Sequence, residues 1–408
     1  MVEERRKGWV GSSYDQHPMT IPQLSNDPSQ QALYALINRQ IANAGGWLSF
    51  DRFMALALYA PGMGYYTNSL RKFGLTPETG SDFATAPEMS KHFGHTLAHQ
   101  VAEALQVTGT DEVWEFGAGS GALALQLLDS LGDSVKRYTI VDLSGSLRER
   151  QQETLKAHAH KVQWVDALPE QLSGVVVGNE VLDAMPVQLL VRKAGLWHER
   201  GVVWNADALN QSQAGVASSA SISPLQWEDR LTDLRPPVEV MGEHDYLTEI
   251  HHQAEAFVAT LADRFKAGEA ATGKGGAAFL IDYGFPESEY FHPQRSMGTL
   301  MCHKLHKSDP DPLVDVGGKD ITAHVNFTGV ALAAQDAGLN VLGYTSQAHF
   351  LINCGLLPPL VDAPLDEKTM AQKLITEHEM GELFKVVAFG TTEWEPMGFA
   401  QGDRTYAL

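Results

Sequence analysis

The stretch "VWEFGAGSGALALQLL" at residues 113–128 constrains this chain more than any other. Apolar and β-branched residues lead into three glycines at alternate positions, and an alanine- and leucine-rich run follows. That order spells strand, turn and helix. Gly117, Gly119 and Gly121 permit a sharp turn and a close backbone approach to a ligand, because no Cβ stands in the way. The helix that follows opens with unpaired N–H groups. In an open parallel sheet, ligands sit beyond the carboxyl ends of the strands. A nucleotide-like cofactor is therefore expected here, and the bland alternative is a strand–helix corner that holds nothing.

The same alternation continues downstream. "RYTIVDL", "KVQWVDAL", "GVVVGNEVLDAMP", "AAFLIDYG", "LNVLGYT" and "FKVVAFG" read as further strands separated by helical runs. Such a series implies an α/β fold, a mostly parallel Rossmann-like sheet covered on both faces. The pattern breaks at about 190–270, which reads as an inserted α+β subdomain. It opens with the hairpin-like "QLLVRKAGLWHERGVVW", continues through the Ala/Ser-rich "QAGVASSASIS", and closes with "YLTEIHHQAEAFVATLADRF" as an amphipathic helix. Ahead of the sheet, residues 1–24 read as a flexible tail and 25–110 as an N-terminal helical or lid region. Asp27, Pro28 and Gln30 supply an N-cap, a first-turn proline and a capping box for its first helix. Residues 111–408 then form the core that carries the insertion.

Charge limits the partners. The chain has 50 acidic and 30 Lys/Arg residues, a formal net charge of −20. An acidic surface repels nucleic acid and anionic membrane and tolerates a basic protein partner. No apolar run approaches the roughly 20 residues that cross a bilayer. The charged start has no apolar segment behind it, so a cytoplasmic location is expected. Two cysteines, Cys302 and Cys354, give no disulfide framework. No metal is expected: His92, His95 and His99, the "CHKLH" cluster and His251-His252 all lack the spacing of a familiar zinc site. "GEAATGKGG" nearly spells a phosphate loop, but Gly275 replaces the metal-binding hydroxyl and the segment precedes a strand.

Glycines alone do not choose a cofactor, since Gly117, Gly119 and Ala122 also satisfy the dinucleotide pattern. Asp142, closing "TIVDL", can hold ribose hydroxyls in either case. The discriminator is Glu115 in the fuller "EFGAGSG", which resembles motif I of class I S-adenosylmethionine-dependent methyltransferases. In that superfamily the acidic residue helps anchor the methionine end. Asp166 stands after a strand, where those enzymes commonly place an acid near the adenine. "GNEVLDAMP" gathers Asn179, Glu180 and Asp183 at the ligand-bearing edge of the sheet. A helix cap explains Asn179 or Asp183 cheaply, but not Glu180 at a strand end.

Several strings together, in order, resemble the MidA-like methyltransferases, a family that includes the mitochondrial complex I assembly factor that methylates a protein arginine. They are "ALYAPGMGYY", "GSDFATAPEMSKHFG", "EFGAGSG", "GNEVLDAMPV", "IDYG", "GTLMCHKLH", "DITAHVNF" and "FKVVAFG". The resemblance runs from about Ser25 to the carboxyl terminus. It implies S-adenosyl-L-methionine as cofactor, with Thr85, Pro87 and Glu88 close to it as part of a lid. Four departures stand out: Ser81 for glycine, Asp142 for glutamate, "MCHKLH" without the usual arginine and tyrosine, and Asn326 for aspartate. The last two bear on loops expected to face the acceptor.

Methyl transfer asks the protein to align an acceptor and shield the site. If the acceptor is a guanidinium, Glu180 and Asp183 could clamp it, because carboxylates accept its planar fork in pairs. Asn179 would orient the acceptor or the cofactor, and Asp282 and His324 are further candidates by family position. The leading expectation is a protein-arginine methyltransferase, with a respiratory-complex subunit as the acceptor that the resemblance suggests. A NAD-dependent oxidoreductase and a non-catalytic assembly factor are the competing classes. The N-terminal helices could serve as a lid or as a homodimer surface.

Overall fold

The structure is a computed structural model and describes residues 27–68, 85–142, 144–205 and 223–408. The expected tail, Ser81 and nearly all of the Ala/Ser-rich segment lie outside the described residues. The central sheet contains β1 (Glu112–Phe116), β2 (Arg137–Val141), β3 (Val162–Val165), β4 (Gly174–Asn179), β5 (Gly276–Phe285), β6 (Asn340–Ser346) and β7 (Phe384–Gly390). Across the sheet they run β6-β7-β5-β4-β1-β2-β3. β1 to β5 are parallel, and β7 lies antiparallel between β5 and β6. The chain winds outward from β1 to β3 and then returns to the other side with β4. The order therefore reverses between β1 and β4, and a crevice opens beyond their carboxyl ends.

The principal helices are α1 (Pro28–Asn43), α2 (Phe50–Tyr59), α3 (Lys91–Thr108), α4 (Ala122–Leu131), α5 (Gly145–Thr154), α6 (His252–Thr272) and α7 (Phe327–Asp336). Strand alternation sorts the sheet into two dry faces. Val175, Val177, Phe279 and Val386 pack against Phe93 and Leu97 of α3 and Leu127 of α4. Val176, Ala278, Leu280 and Val387 pack against Val258 and Phe265 of α6 and Val330 of α7. Side chains two residues apart share a face, so a run such as "GVVV" feeds both layers. The sequence reading groups α3 with the N-terminal helices, but its apolar stripe lies on the sheet.

α1 and α2 belong to a second core. Leu48–Ser49 pairs antiparallel with the hairpin strand Leu196–Trp204, which pairs in turn with Gln188–Lys193 and Leu225–Leu231. Leu33, Ile37, Phe53 and Leu58 are buried together with Val187, Leu189, Val202, Cys302 and Ile321. One accessory unit is thus assembled from three separated stretches of chain. Two local expectations are corrected here. "YLTEI" is not helix: Tyr246–Ile250 is a strand paired with residues 188–192, and the helix begins only at His252. Edge pairing and an alternating Tyr-Thr-Ile face outweigh the helical pattern behind them. Gln30 does not close a capping box; its Nε2 donates to Asp315 Oδ1 (2.8 Å) instead, although Asp27 caps Ser29 N–H (2.9 Å) as expected.

Candidate active site

Past Phe116 the chain turns through Gly117 (φ 64°), Gly119 (φ 52°) and Gly121 (φ 86°), all left-handed. Residues with a Cβ pay heavily for that conformation. A Cβ on Gly117 would stand 3.1 Å from Val181 Cγ2 on the loop after β4. Asp142, just past β2, accepts Ser144 N–H at Oδ1 (2.8 Å). Gln151 on α5 ties these pieces together. Its Nε2 donates to Gly119 O (3.1 Å) and Asp142 Oδ2 (2.8 Å), and its Oε1 accepts from Trp164 Nε1 (2.8 Å).

Sequence reasoning passes over Gln151 because a glutamine inside the polar run "SLRERQQETL" carries no periodic or motif signal. It is nonetheless 0% exposed. Gln151→Ala would strand the Gly119 carbonyl and the Trp164 N–H, at about 1–3 kcal/mol for each orphaned group. The expected result is a lower melting temperature and cofactor binding weakened about 10-fold, equivalent to about 1.4 kcal/mol. Calorimetric titration checks it, and unchanged affinity would show that the brace is idle.

Beyond β4 lies the acidic loop. Asn179 Nδ2 donates to Glu180 Oε1 (2.8 Å), and Tyr283 OH donates to Asp183 Oδ2 (2.5 Å). Asp183 Oδ1 and Asn179 Oδ1 are buried without a hydrogen-bond partner among the described residues. Asp282 does not line the cavity. It accepts the N–H groups of Val181, Leu182 and Asp183 at Oδ2 and that of Tyr283 at Oδ1, and so pins the acidic loop to the end of β5. Burial, and then the neighbouring Asp183 and Glu180, hold its carboxyl well above the usual range against the pull of the Tyr283 and Asp183 N–H donors.

A single cavity of about 1240 Å³ brings most of the expected residues together: Thr85, Pro87, Glu88, Glu115, Gly117, Gly119, Asp142, Asp166, Asn179, Glu180 and Asp183. Gly121 stands behind it, against α5. Single small-molecule sites occupy roughly 300–1,000 Å³, so there is room for a cofactor and an acceptor side by side. Thr85 to Glu88 sit on and just before the short helix Ala86–Met89, held on α4 by Gln126 Nε2 donating to Pro87 O (2.8 Å). Glu88 Oε1 is buried without a partner among the described residues. Asp166 lies at the rim, its side chain 76% exposed and ion-paired with Arg148.

His324, Tyr283, Tyr59, Tyr66, His303 and Asp320 also line the cavity. Strand alternation explains the "MCHK" segment: Met301 and His303 face the cavity, while Cys302 is buried in the accessory core. Asn326 is corrected as an acceptor-facing residue. Its side chain caps α7 by accepting Gly329 N–H (3.3 Å), a task that Asn and Asp share. The histidines also have ordinary partners, His92 with Glu367 and His99 with the Cys354 carbonyl. Among the described residues, no group of three or more His, Cys, Asp or Glu is placed to hold a metal, and no helix is long and apolar enough to cross a membrane.

Eight carboxyl residues line the cavity (Asp51, Glu88, Glu115, Asp142, Asp166, Glu180, Asp183 and Asp320), and no lysine or arginine does among the described residues. Burial first pushes Glu115 and Glu180 up to about 8 and Asp183 to about 6. Tyr138 OH, donating to Glu115 Oε2 (2.6 Å), and Asn179 pull the two glutamates back down. Between the ordinary 4.5 and about 8, the folded chain holds protons that the unfolded chain has lost. Stability without ligand should therefore be full below that window and fall as pH rises through it. Binding of a cation, which needs the charged carboxylates, should rise over the same range. Melting temperature and kcat/KM measured from about pH 5.5 to about pH 9 should move in opposite directions. A flat pair of profiles would remove the buried acids from the argument.

Comparison with known proteins agrees with this geometry. A family model described as "Putative S-adenosyl-L-methionine-dependent methyltransferase" matches residues 96–345. A solved Burkholderia thailandensis protein, bound to S-adenosyl-homocysteine, is 45% identical; the match covers 96% of this chain and 100% of that one, with a TM-score of 0.84. A Caenorhabditis elegans protein named as a mitochondrial protein arginine methyltransferase, an NDUFAF7 homologue, is 26% identical, covering 88% of each chain. Its Drosophila melanogaster counterpart is also 26% identical, covering 86% of this chain and 81% of its own.

Proposed function

The chain belongs to the MidA-like S-adenosyl-L-methionine-dependent methyltransferases, and from that premise we propose that it methylates the guanidinium of a protein arginine. The observation that carries the reading is the cavity wall, with eight carboxyl residues and no lysine or arginine among the described residues. Such a wall favours a positively charged acceptor and disfavours an anionic one. The two curated relatives, whose names make them protein arginine methyltransferases, support the finer statement.

The residues present fit the cofactor. The Cβ-free turn at Gly117 and Gly119 offers backbone to the crevice, and the Asp142 carboxylate lines the same wall. Asn179 Oδ1 and Glu88 Oε1, buried without a hydrogen-bond partner among the described residues, can accept from the cofactor's donors. Glu115, Asp142 and the glycines would hold it, with Thr85, Pro87, Glu88 and Asp166 around its margin. When bound, the cofactor supplies a methyl group already activated on a sulfonium centre.

The chain's own contribution is alignment and proton handling. Glu180 and Asp183 hold the guanidinium in one orientation by charge-assisted hydrogen bonds. Asp183 Oδ1, lacking a donor among the described residues, takes the proton that the acceptor releases. Tyr283 fixes the other oxygen and keeps the carboxylate from rotating. Phe116, Phe257 and Phe384 line the cavity with apolar surface and keep water from the reacting atoms.

The test is labelling with methyl-tritiated S-adenosylmethionine in protein extract from cells that lack this protein, followed by acid hydrolysis and amino-acid analysis. Methylarginine is the expected product. Label recovered as methyllysine, as a base-labile methyl ester or in the small-molecule fraction would replace the reading.

A further inference from the structure

We propose that the accessory unit builds the acceptor subsite: Tyr59, Tyr66 and Asp320 form an aromatic and carboxylate wall that receives the acceptor's cationic side chain opposite Asp183. This rests on the cationic-acceptor reading above and adds the residues that select the cation.

Tyr59 and Tyr66 stack with ring centroids 5.6 Å apart and an interplanar angle of 19°. Both hydroxyl protons are spent inside the protein, Tyr59 OH on Ala184 O (2.8 Å) and Tyr66 OH on Asp320 Oδ2 (2.9 Å). What the two tyrosines offer the cavity is therefore ring surface and acceptor lone pairs, with no donor proton. Asp320 is 3% exposed, its Oδ1 accepting Ile321 N–H (2.9 Å) and its Oδ2 the Tyr66 hydroxyl. All three residues line the same cavity as Gly117 and Asp183.

An independent observation points to a ligand. Asp183 is 5% exposed and lines the cavity, yet its Oδ1 has no hydrogen-bond partner among the described residues. A buried carboxylate oxygen without a donor is costly, and a cationic donor from outside removes the cost. Tyr59, Tyr66, Glu180, Asp183 and Asp320 all line one cavity, close enough that the two aspartates act electrostatically on the other three. Ring faces attract cations, and a guanidinium both stacks on aromatic planes and pairs with carboxylates. The two walls have different origins: the glycine turn and the acidic loop follow β1 and β4, whereas Tyr59 closes α2 and Asp320 opens a strand beside the accessory core.

The test measures binding, with S-adenosyl-homocysteine present, of three probes: N-acetyl-arginine methylamide, its lysine counterpart, and the neutral citrulline isostere. Saturation-transfer NMR is run on the full chain and on Asp320→Asn, Tyr66→Leu and Tyr59→Leu, each checked by thermal melting. The tyrosine variants cover the case in which Asp320→Asn fails to fold. The arginine probe should bind the wild type and the citrulline probe should not. The variants should lose about 10-fold in arginine-probe affinity and hold S-adenosyl-homocysteine as the wild type does. Variants that bind the arginine probe like wild type, or a wild type that binds no probe, would overturn the subsite. A lysine preference that disappears in the same variants would uphold the subsite and sink the arginine reading instead.

Discussion

Glu180→Gln is expected to lower turnover by roughly 10²-fold, the size of loss that follows when a reacting group is held about 1 Å out of place, while cofactor affinity stays within a few-fold. Glutamine keeps the shape and can still accept from Asn179, but it cannot carry the charge that holds a guanidinium. Glu180 also sits at φ 55°, where few non-glycine residues are found, with its N–H donating to Ile281 O (2.8 Å). Such strain costs about 1–3 kcal/mol and persists where the surroundings impose it. A Glu180→Gly variant separates the two roles, because glycine relieves the backbone and deletes the carboxylate. It should melt higher than Glu180→Gln and be no more active. Single-turnover kinetics with saturating cofactor reads both variants directly. Near-normal turnover of Glu180→Gln would leave the acidic loop a scaffold and return attention to a docking role.

Gly117→Val is expected to abolish cofactor binding, a loss beyond about 100-fold or about 2.7 kcal/mol, in a chain whose sheet still forms. Two effects add. A β-branched residue at φ 64° is a severe outlier, and even a bare Cβ there meets Val181 Cγ2 at 3.1 Å. The turn must open, carrying the Val181 loop or the glycine backbone away from the crevice. Far-ultraviolet circular dichroism should stay close to wild type, and calorimetric titration with S-adenosylmethionine should show no heat of binding. Binding within a few-fold of wild type would mean that the cofactor does not lie against this turn.

Local chemistry made part of the site legible in advance. Alternating glycines after an apolar strand announce a left-handed turn, and acids at strand ends announce the ligand-bearing edge. For the same reason, the reversal of strand order between β1 and β4 brought Glu115, Asp142, Glu180 and Asp183 to one cavity. What escaped notice depends on distance along the chain. Tyr66 and Asp320 are 254 residues apart, and no periodicity predicts that they hydrogen-bond. Gln151 is hidden in a polar helix and acts through backbone contacts that leave no pattern. "YLTEI" misled because a helical stripe follows it directly, while its strand partner lies at residues 188–192. Asn326 misled for the opposite reason, since a conspicuous motif position turned out to be a helix cap.

The accessory unit carries a consequence for how the molecule is made. α1 and α2 leave the ribosome early, yet their apolar faces are completed by Val187, Val202 and Ile321, encoded far downstream. At about 5–20 residues per second, the 254 residues between Tyr66 and Asp320 take roughly 13–50 seconds to synthesise. Until Ile321 emerges, α1 and α2 lack part of the native surface they close on, while the early strands of the central sheet are already available to pair. α1 and α2 are thus made well before the surface that covers them is complete, which makes nascent chains cut short before residue 321 natural clients for chaperones.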